Sequence, residues 1–271
     1  MGEFAALRGR VLIIAGSDPS GGAGIQADIK TVTALGGYAA SAITAITVQN
    51  TKGVESVHGV DPEIIRAQIK AVLDDIGADA VKIGMIGERS AGVAIADALV
   101  ESAATIPIVL DPVLAATSGD ALAGDEMPAF LLERLAPISA LVTPNADEAA
   151  ILTGFKVASS LELVAAGQDL IKRGATAALV KGGHLEGDDV EDALVTLDGA
   201  RLFRHPRIAT KATHGTGCTL SSAVATGLAQ GLPLAAAAKR AIDYVYEAIR
   251  TAPGLGEGAG PLNHAWPFEQ D

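Results

Sequence analysis

An alternation of two patterns constrains this chain more than any other feature of it. Short β-rich apolar runs end in polar or glycine-rich turns: VLIIAG (11–16), AITAITVQ (42–49), AVKIG (80–84), IPIVLDP (106–112), ALVTPN (140–145) and AALVKGG (177–183). Between them lie stretches with helical period, among them EIIRAQIKAVLDDI (63–76), 90–101 and 160–173. Strands that alternate with helices predict βαβ units and a mainly parallel sheet between helical layers. Residues 192–208 break the rhythm, because two strand-like runs flank Asp198 and Gly199. That turn pair predicts an antiparallel hairpin at one sheet edge. The stretches 215–231 and 233–252 then read as helices, and the Gly- and Pro-rich tail 253–271 as an irregular closing segment. No linker, charge block or internal repeat divides the chain. The expectation is one α/β domain over 1–271, with 1–9 as an N-terminal extension.

Composition narrows the partners. Hydrophobic residues make up 49% of the chain and aromatics only 3%, so Ala, Val, Leu and Ile carry the core, as in a parallel sheet buried on both faces. A formal net charge of −12 argues against nucleic acid or an anionic membrane surface as the main partner. It leaves room for a phosphorylated small molecule, since a local field can oppose the global charge. The lone cysteine cannot form an internal disulfide, which suits a reducing cytoplasm. No stretch approaches the roughly 18 uninterrupted apolar residues of a membrane span. A soluble cytoplasmic protein is the expectation.

In open parallel sheets, ligands bind beyond the carboxyl ends of the strands, so the polar residues there carry the argument. GSDPSGGAGIQAD (16–28) follows the first strand and opens a helix. Gly22–Ala27 matches the loose dinucleotide pattern, but its glycines come late and strand two ends in Gln49 and Asn50, not in an acidic ribose ligand. A substrate loop is the better reading, a plain connector the other. Asp111 in LDPV and Asn145 and Glu148 in TPNADEA stand at or just past strand ends, where they are candidates to hold Mg²⁺ directly or through water. The bland alternatives are a turn at Asp111 and a helix cap at Asn145. Lys181, ahead of two glycines, is placed to meet phosphate oxygens or simply to snorkel from a sheet end. In THGTGCTLSSA (213–223), Gly215 and Gly217 permit a tight turn, and Thr216 onward presents free N–H groups at a helix start. Cys218 lies in that first turn, where the helix field is expected to lower a thiol pKa; the alternative is a small buried hydrophobe. His214 precedes the turn and invites a Cys–His reading, although no third group to orient it is evident. The five histidines show no metal-ligand spacing, so zinc is not expected.

AGSDPSGGAGIQADIKT, ITVQNT, KIGM, DPV…TSGD, TPNADEA, VKGGH and THGTGCTLSSA occur in this order over roughly 10–265. The set resembles the hydroxymethylpyrimidine/phosphomethylpyrimidine kinases of thiamine biosynthesis. The resemblance implies a ribokinase-like three-layer α/β/α sandwich and ATP-dependent phosphorylation of 4-amino-5-hydroxymethyl-2-methylpyrimidine, then of its monophosphate. It implies that Gln49 bonds the aminopyrimidine edge while Gly16, Ala23, Val48, Met85 and Val113 line the pocket. Gly215, Thr216, Gly217 and Cys218 would form the anion hole and catalytic turn, with Cys218 where sugar kinases of this superfamily place an aspartate. Asp111 and Glu148 would organise Mg²⁺; Lys181, Asn145 and Thr213 would meet ATP. Relatives are commonly dimers, so a homodimer is implied as well.

Departures are few. Ala212 stands where Asn is common, and Glu257 where some relatives place a basic residue, so no ATP contact is assigned to the tail. The chain is too short to carry a fused thiamine-phosphate synthase domain. Three other readings stay open: a pyridoxal or pyridoxine kinase, a Cys-nucleophile transferase or hydrolase using Cys218 and His214, and a non-catalytic pyrimidine-binding protein.

Overall fold

Strand β1 (Arg10–Ser17) shows how the two layers arise. Its Val11, Ile13 and Ala15 point into one hydrophobic cluster and its Leu12 and Ile14 into another, because successive side chains leave a strand on opposite faces. The computed structural model describes residues 8–115, 119, 122 and 124–268. Most of the N-terminal extension, part of the 116–126 loop and the last three residues lie outside the described residues.

The remaining strands are β2 (Tyr38–Asn50), β3 (Gly53–Gly59), β4 (Ala80–Ile83), β5 (Ile108–Leu110), β6 (Leu141–Val142), β7 (Ala178–Val180), β8 (Asp189–Thr196) and β9 (Gly199–Pro206). They form one nine-stranded sheet in the order β3-β2-β1-β4-β5-β6-β7-β8-β9. From β2 to β7 every neighbouring pair is parallel. The hairpin expected around Asp198 and Gly199 is β8–β9, in register from Asp189↔Pro206 to Thr196↔Gly199.

A second antiparallel hairpin, β2–β3, closes the opposite edge, with Asn50 paired to Gly53. The residue pattern does not announce it: GVESVHG is short and polar, and β2 itself runs on to Asn50 instead of stopping at the carboxyl end of its parallel neighbours. The sheet is therefore antiparallel at both edges.

Helices α1 (Gly24–Ala34), α2 (Pro62–Asp75), α3 (Arg89–Ser102), α4 (Met127–Phe130), α5 (Ala146–Thr153), α6 (Ser160–Lys172), α7 (Thr216–Ala229) and α8 (Leu234–Arg250) cover the sheet. Ile65, Ile95, Phe130, Leu152 and Leu163 place α2 to α6 on one face, and Ile25, Val224 and Ile242 place α1, α7 and α8 on the other. The tail is irregular in shape but not loosely attached. Ala259 N–H donates to the Thr51 carbonyl at 2.8 Å, Gly260 N–H to Lys211 and His214 N–H to Gly260, so the tail straps the β2–β3 turn to the segment before α7. Glu257 pairs with Lys52 across the same contact.

Gly182, directly after Lys181, shows how tightly β7 leaves the sheet: a β-carbon there would lie 2.0 Å from the Glu191 carbonyl oxygen, and its N–H donates to Asp192 at 2.9 Å. Gly182→Ala must therefore push the β8 backbone away. A loss of about 1–3 kcal/mol, as for overpacked interiors, is expected as a lower midpoint in urea unfolding; an unchanged midpoint would show that β8 yields freely.

Candidate active site

Strand alternation brings the site together. Ala80, Val109, Leu141 and Leu179 face the α7 side of the sheet, so the residues two further on, Lys82, Asp111, Thr143 and Lys181, emerge on that same side. Asp111 is 1% exposed; its Oδ1 accepts from Thr143 Oγ1 at 3.0 Å and from Lys181 Nζ at 3.1 Å, and its Oδ2 from Ser221 Oγ at 3.3 Å. Burial opposes the Lys181 charge, but Asp111 and Glu148 outweigh it and hold the ammonium above its ordinary range.

Asn145 caps α5: its side chain accepts from Glu148 N–H while Glu148 Oε2 accepts from Asn145 N–H, each at 2.8 Å. The cap thus points Glu148 at the sheet end, where burial pushes its carboxyl up to about 7 against the pull of Lys181.

Helix α7 starts directly over these groups. Gly215 precedes it with φ +80° and no side chain caps it, so the N–H groups of Gly217 and Cys218 are left for a ligand or water. A β-carbon on Gly215 would lie 1.9 Å from the Gly22 carbonyl oxygen, and one on Gly217 3.0 Å from Lys181 Nζ. Glycine is required at Gly215 by conformation and by space, and Gly217 lets the turn sit against the Lys181–Asp111 pair. Thr216 and Thr213 are half-buried in the same turn, joined by a 3.4 Å backbone bond.

The first loop is folded around Asp18. Its carboxylate accepts from Ser20 N–H at 2.8 Å, Ser20 Oγ at 2.8 Å, Gly22 N–H at 3.2 Å and Ala23 N–H at 2.8 Å. His214 Nε2 lies 2.8 Å from Asp18 Oδ2, 3.3 Å from Gln49 Nε2 and 3.4 Å from Ser20 Oγ. Burial opposes the Asp18 charge, but the bonds from His214, Ser20 and Ala23 keep its carboxyl below the ordinary range. The group that orients His214, not evident in the sequence, is therefore Asp18. An Asp two residues before a Ser in a Gly-rich loop is an Asx-turn signature and was its available signal.

Of the expected pocket residues, Gly16 and Met85 meet, a β-carbon on Gly16 falling 2.8 Å from Met85 Cε. Ala23 and Gln49 join the Asp18–His214 cluster. Val48 lies in β2 next to Gln49 but is 44% exposed, and Val113 stands in the turn after Asp111. Neither is brought into contact with Gln49 by a hydrogen bond.

Cys218 requires a correction. Its thiol is pushed up to about 11, not down: burial dominates, Lys82 pulls it lower, and Asp28 and Asp111 raise it. A Gly24 N–H bond also favours the thiolate, but loss of hydration outweighs both helps. Beneath it, Lys82 and Asp28 form an ion pair at 2.8 Å with both side chains wholly buried, and Ser222 Oγ donates to Asp28 at 2.7 Å. Neither stands among the residues expected at the site; a charged residue inside the apolar run AVKIG was the signal.

The tail reaches this region too. His264 is 5% exposed, its Nε2 lies 3.0 Å from Thr219 Oγ1, and its carbonyl accepts from Tyr244 Oη at 2.8 Å. Burial lowers its pKa to about 4. The folded protein thus binds a proton here less readily than the unfolded chain, so stability is full above about 6.5 and is lost as pH falls towards 4. His264→Gln is expected to remove on the order of 3 kcal/mol of that acid loss, read from urea unfolding at neutral pH and at about pH 4. Equal acid loss in both proteins would place the titration elsewhere.

Residues 18–263 match the family model described as phosphomethylpyrimidine kinase. The chain is 50% identical over 258 residues to the hydroxymethylpyrimidine/phosphomethylpyrimidine kinase of Rhizobium meliloti (strain 1021), covering 93% of this chain and 96% of that protein. Phosphomethylpyrimidine kinase from Clostridium difficile 630 superposes with a TM-score of 0.78 at 39% identity, over 89% of this chain and 99% of that one. An ADP complex of Bacillus subtilis pyridoxal kinase superposes with a TM-score of 0.87 at 33% identity, over 95% and 98% of the two chains. The motifs, the sheet order and the uncapped turn over paired strand-end charges converge on one assignment: the chain belongs to the phosphomethylpyrimidine kinase family.

Proposed function

We propose that this chain transfers the γ-phosphoryl group of ATP to the hydroxymethyl oxygen of 4-amino-5-hydroxymethyl-2-methylpyrimidine, and then phosphorylates the resulting monophosphate to the diphosphate used for thiamine assembly. The observation that carries this reading is the uncapped first turn of α7, seated on Lys181 and Asp111 with Cys218 inside it. Phosphoryl transfer asks for alignment and charge stabilisation more than for a strong base. The N–H groups of Gly217 and Cys218 and the Lys181 ammonium supply donors for the transferring group. Gln49, tied to His214, stands at the end of β2 to meet the aminopyrimidine edge. Gly16, Ala23, Val48, Met85 and Val113 are proposed as the pocket lining, and Asn145 and Thr213 as ATP contacts.

In the first reaction the hydroxymethyl oxygen bonds to the γ-phosphorus, the bond from phosphorus to the ADP oxygen breaks, and the hydroxymethyl proton passes to Cys218 in its thiolate form, the minor form at neutral pH. In the second, the attacking phosphate is already ionised and needs the sulfur less. Asp111 and Glu148 fit a hard cation that keeps its waters: no group of three His, Cys, Asp or Glu side chains among the described residues forms a protein cage, yet two buried carboxylates flank one lysine. Bound there with ATP, Mg²⁺ would neutralise phosphate charge. No helix among the described residues is long and apolar enough to cross a membrane. One kinase domain over the whole chain, a cytoplasmic location and a homodimer complete the reading, supported by the continuous sheet, the single cysteine and the 49% hydrophobic content.

The higher TM-score with pyridoxal kinase favours a second reading, in which a pyridoxal-type alcohol is the better substrate. His214 is directed to Asp18 and Gln49, and no hydrogen bond among the described residues joins it to Cys218, which disfavours a Cys–His nucleophile.

ATP consumption measured with the pyrimidine alcohol, its monophosphate and pyridoxal separates these readings. We expect kcat/KM to be highest on the pyrimidines and to collapse when Mg²⁺ is chelated; a clear pyridoxal preference would overturn the assignment. Cys218→Ala should cost about 10²-fold or more on the alcohol, in the range of a general base, and much less on the monophosphate. With the thiol near 11, the alcohol rate should also climb with pH across the neutral range. Equal losses on both substrates would leave Cys218 a structural residue.

A further inference from the structure

The Lys82–Asp28 pair is the most deeply buried ion pair among the described residues, and its surroundings are built around it. Both side chains are 0% exposed, and Lys82 Nζ meets the two Asp28 oxygens at 2.9 and 2.8 Å. A β-carbon on Gly84 would lie 2.6 Å from Nζ, so the strand end is kept bare to admit the ammonium. Stability does not account for this arrangement, because apolar residues of similar volume usually serve a core as well as a buried ion pair does.

Position does account for it. Helices α1 and α7 start side by side, and residues four apart lie on one helix face. Gly24 and Asp28 share a face of α1, while Cys218 and Ser222 share a face of α7. The two faces meet where Ser222 Oγ donates to Asp28 at 2.7 Å, and the helix starts meet one turn above, where a β-carbon on Gly215 would lie 3.0 Å from Ala23 Cα. The sulfur therefore stands one helical turn above the ion pair.

We propose that Lys82 is a positioning residue for phosphoryl transfer: held on Asp28 beneath the first turn of α7, its ammonium is the counter-charge that the Cys218 sulfur faces when it takes the substrate proton. The proposal rests on the reading of Cys218 as proton acceptor. The charged groups that act on the sulfur are Lys82 from β4, Asp28 from α1, Asp111 after β5 and Lys181 after β7. Of these, Lys82 is the strongest influence favouring the thiolate, and Asp28 the strongest opposing it after burial itself. The two members of the pair therefore act on the sulfur with opposite signs.

The experiment uses the single cysteine of the chain as its own probe. Cys218 alkylation by iodoacetamide is followed against pH in the full-length protein and in Lys82→Met, Asp28→Asn and the double variant carrying both. At about pH 9, Lys82→Met should slow alkylation and Asp28→Asn should speed it, each by about tenfold. The double variant, neutral on both sides, keeps a polar partner for Ser222 and should unfold near the wild-type temperature. It should still alkylate more slowly, and phosphorylate the alcohol about tenfold less well with a smaller loss on the monophosphate. If neither single variant folds, the double variant decides. Wild-type alkylation in the double variant, or single-variant changes of the same sign, would overturn the proposal. Equal loss of both phosphorylations in Cys218→Ala, alongside opposite alkylation changes, would instead remove the base reading and leave the hold of Lys82 on the sulfur standing.

Discussion

The contact between Gly215 and the Gly22 carbonyl sets the rest of the site. Because neither loop carries a side chain at the crossing, the segment before α7 lies directly on the loop after β1, and the helix starts within reach of both α1 and the strand ends. From that origin the helical repeat does the placing. Gly217 falls over Lys181, Cys218 over the Gly24 N–H, Ser221 over Asp111 and Ser222 over Asp28. A helix begun one residue later would rotate each of these by about 100° away from its partner.

The electrostatics follow from the same placement. On a chain of net charge −12, one wholly buried and one largely buried ammonium group lie beneath the first turn of α7, and each is held there by a carboxylate on the same side of the sheet. Local positive charge thus opposes the global charge at the start of α7. The cost is borne by Glu148 and Cys218, both driven towards their neutral forms by loss of water. The Asp18–His214–Gln49 cluster ties the loop after β1, β2 and the turn before α7 into one unit, and the tail crosses over that unit through Gly260 and Pro261.

Much of the fold was legible because it rests on periodicity. The parallel strands and the helices between them are read from repeats of two and of 3.6, and Asp198 with Gly199 marked the β8–β9 hairpin. The β2–β3 hairpin was not legible, since its second strand, GVESVHG, is short, mostly polar and half-buried to exposed, so no apolar face imposes a pattern on it. Asn145 showed itself as a cap because capping is local. Lys82 and Asp28 showed less, because a lysine inside the apolar run AVKIG marks itself as unusual but names no partner until 54 residues of chain bring it to 2.8 Å from Asp28.

The sequence by itself determined the layered α/β order, the positions of the glycine-rich turns and the family, all of which depend on local residue patterns. Only the tertiary structure decided the ionisation of the site. Proximity to a helix start favours a thiolate at Cys218, and that much is visible locally; the packing of α1 and α7 against β4 leaves the residue half-buried, and this loss of water together with Asp28 and Asp111 reverses the outcome. Dehydration is a property of everything that surrounds an atom, so no stretch of neighbouring residues states it.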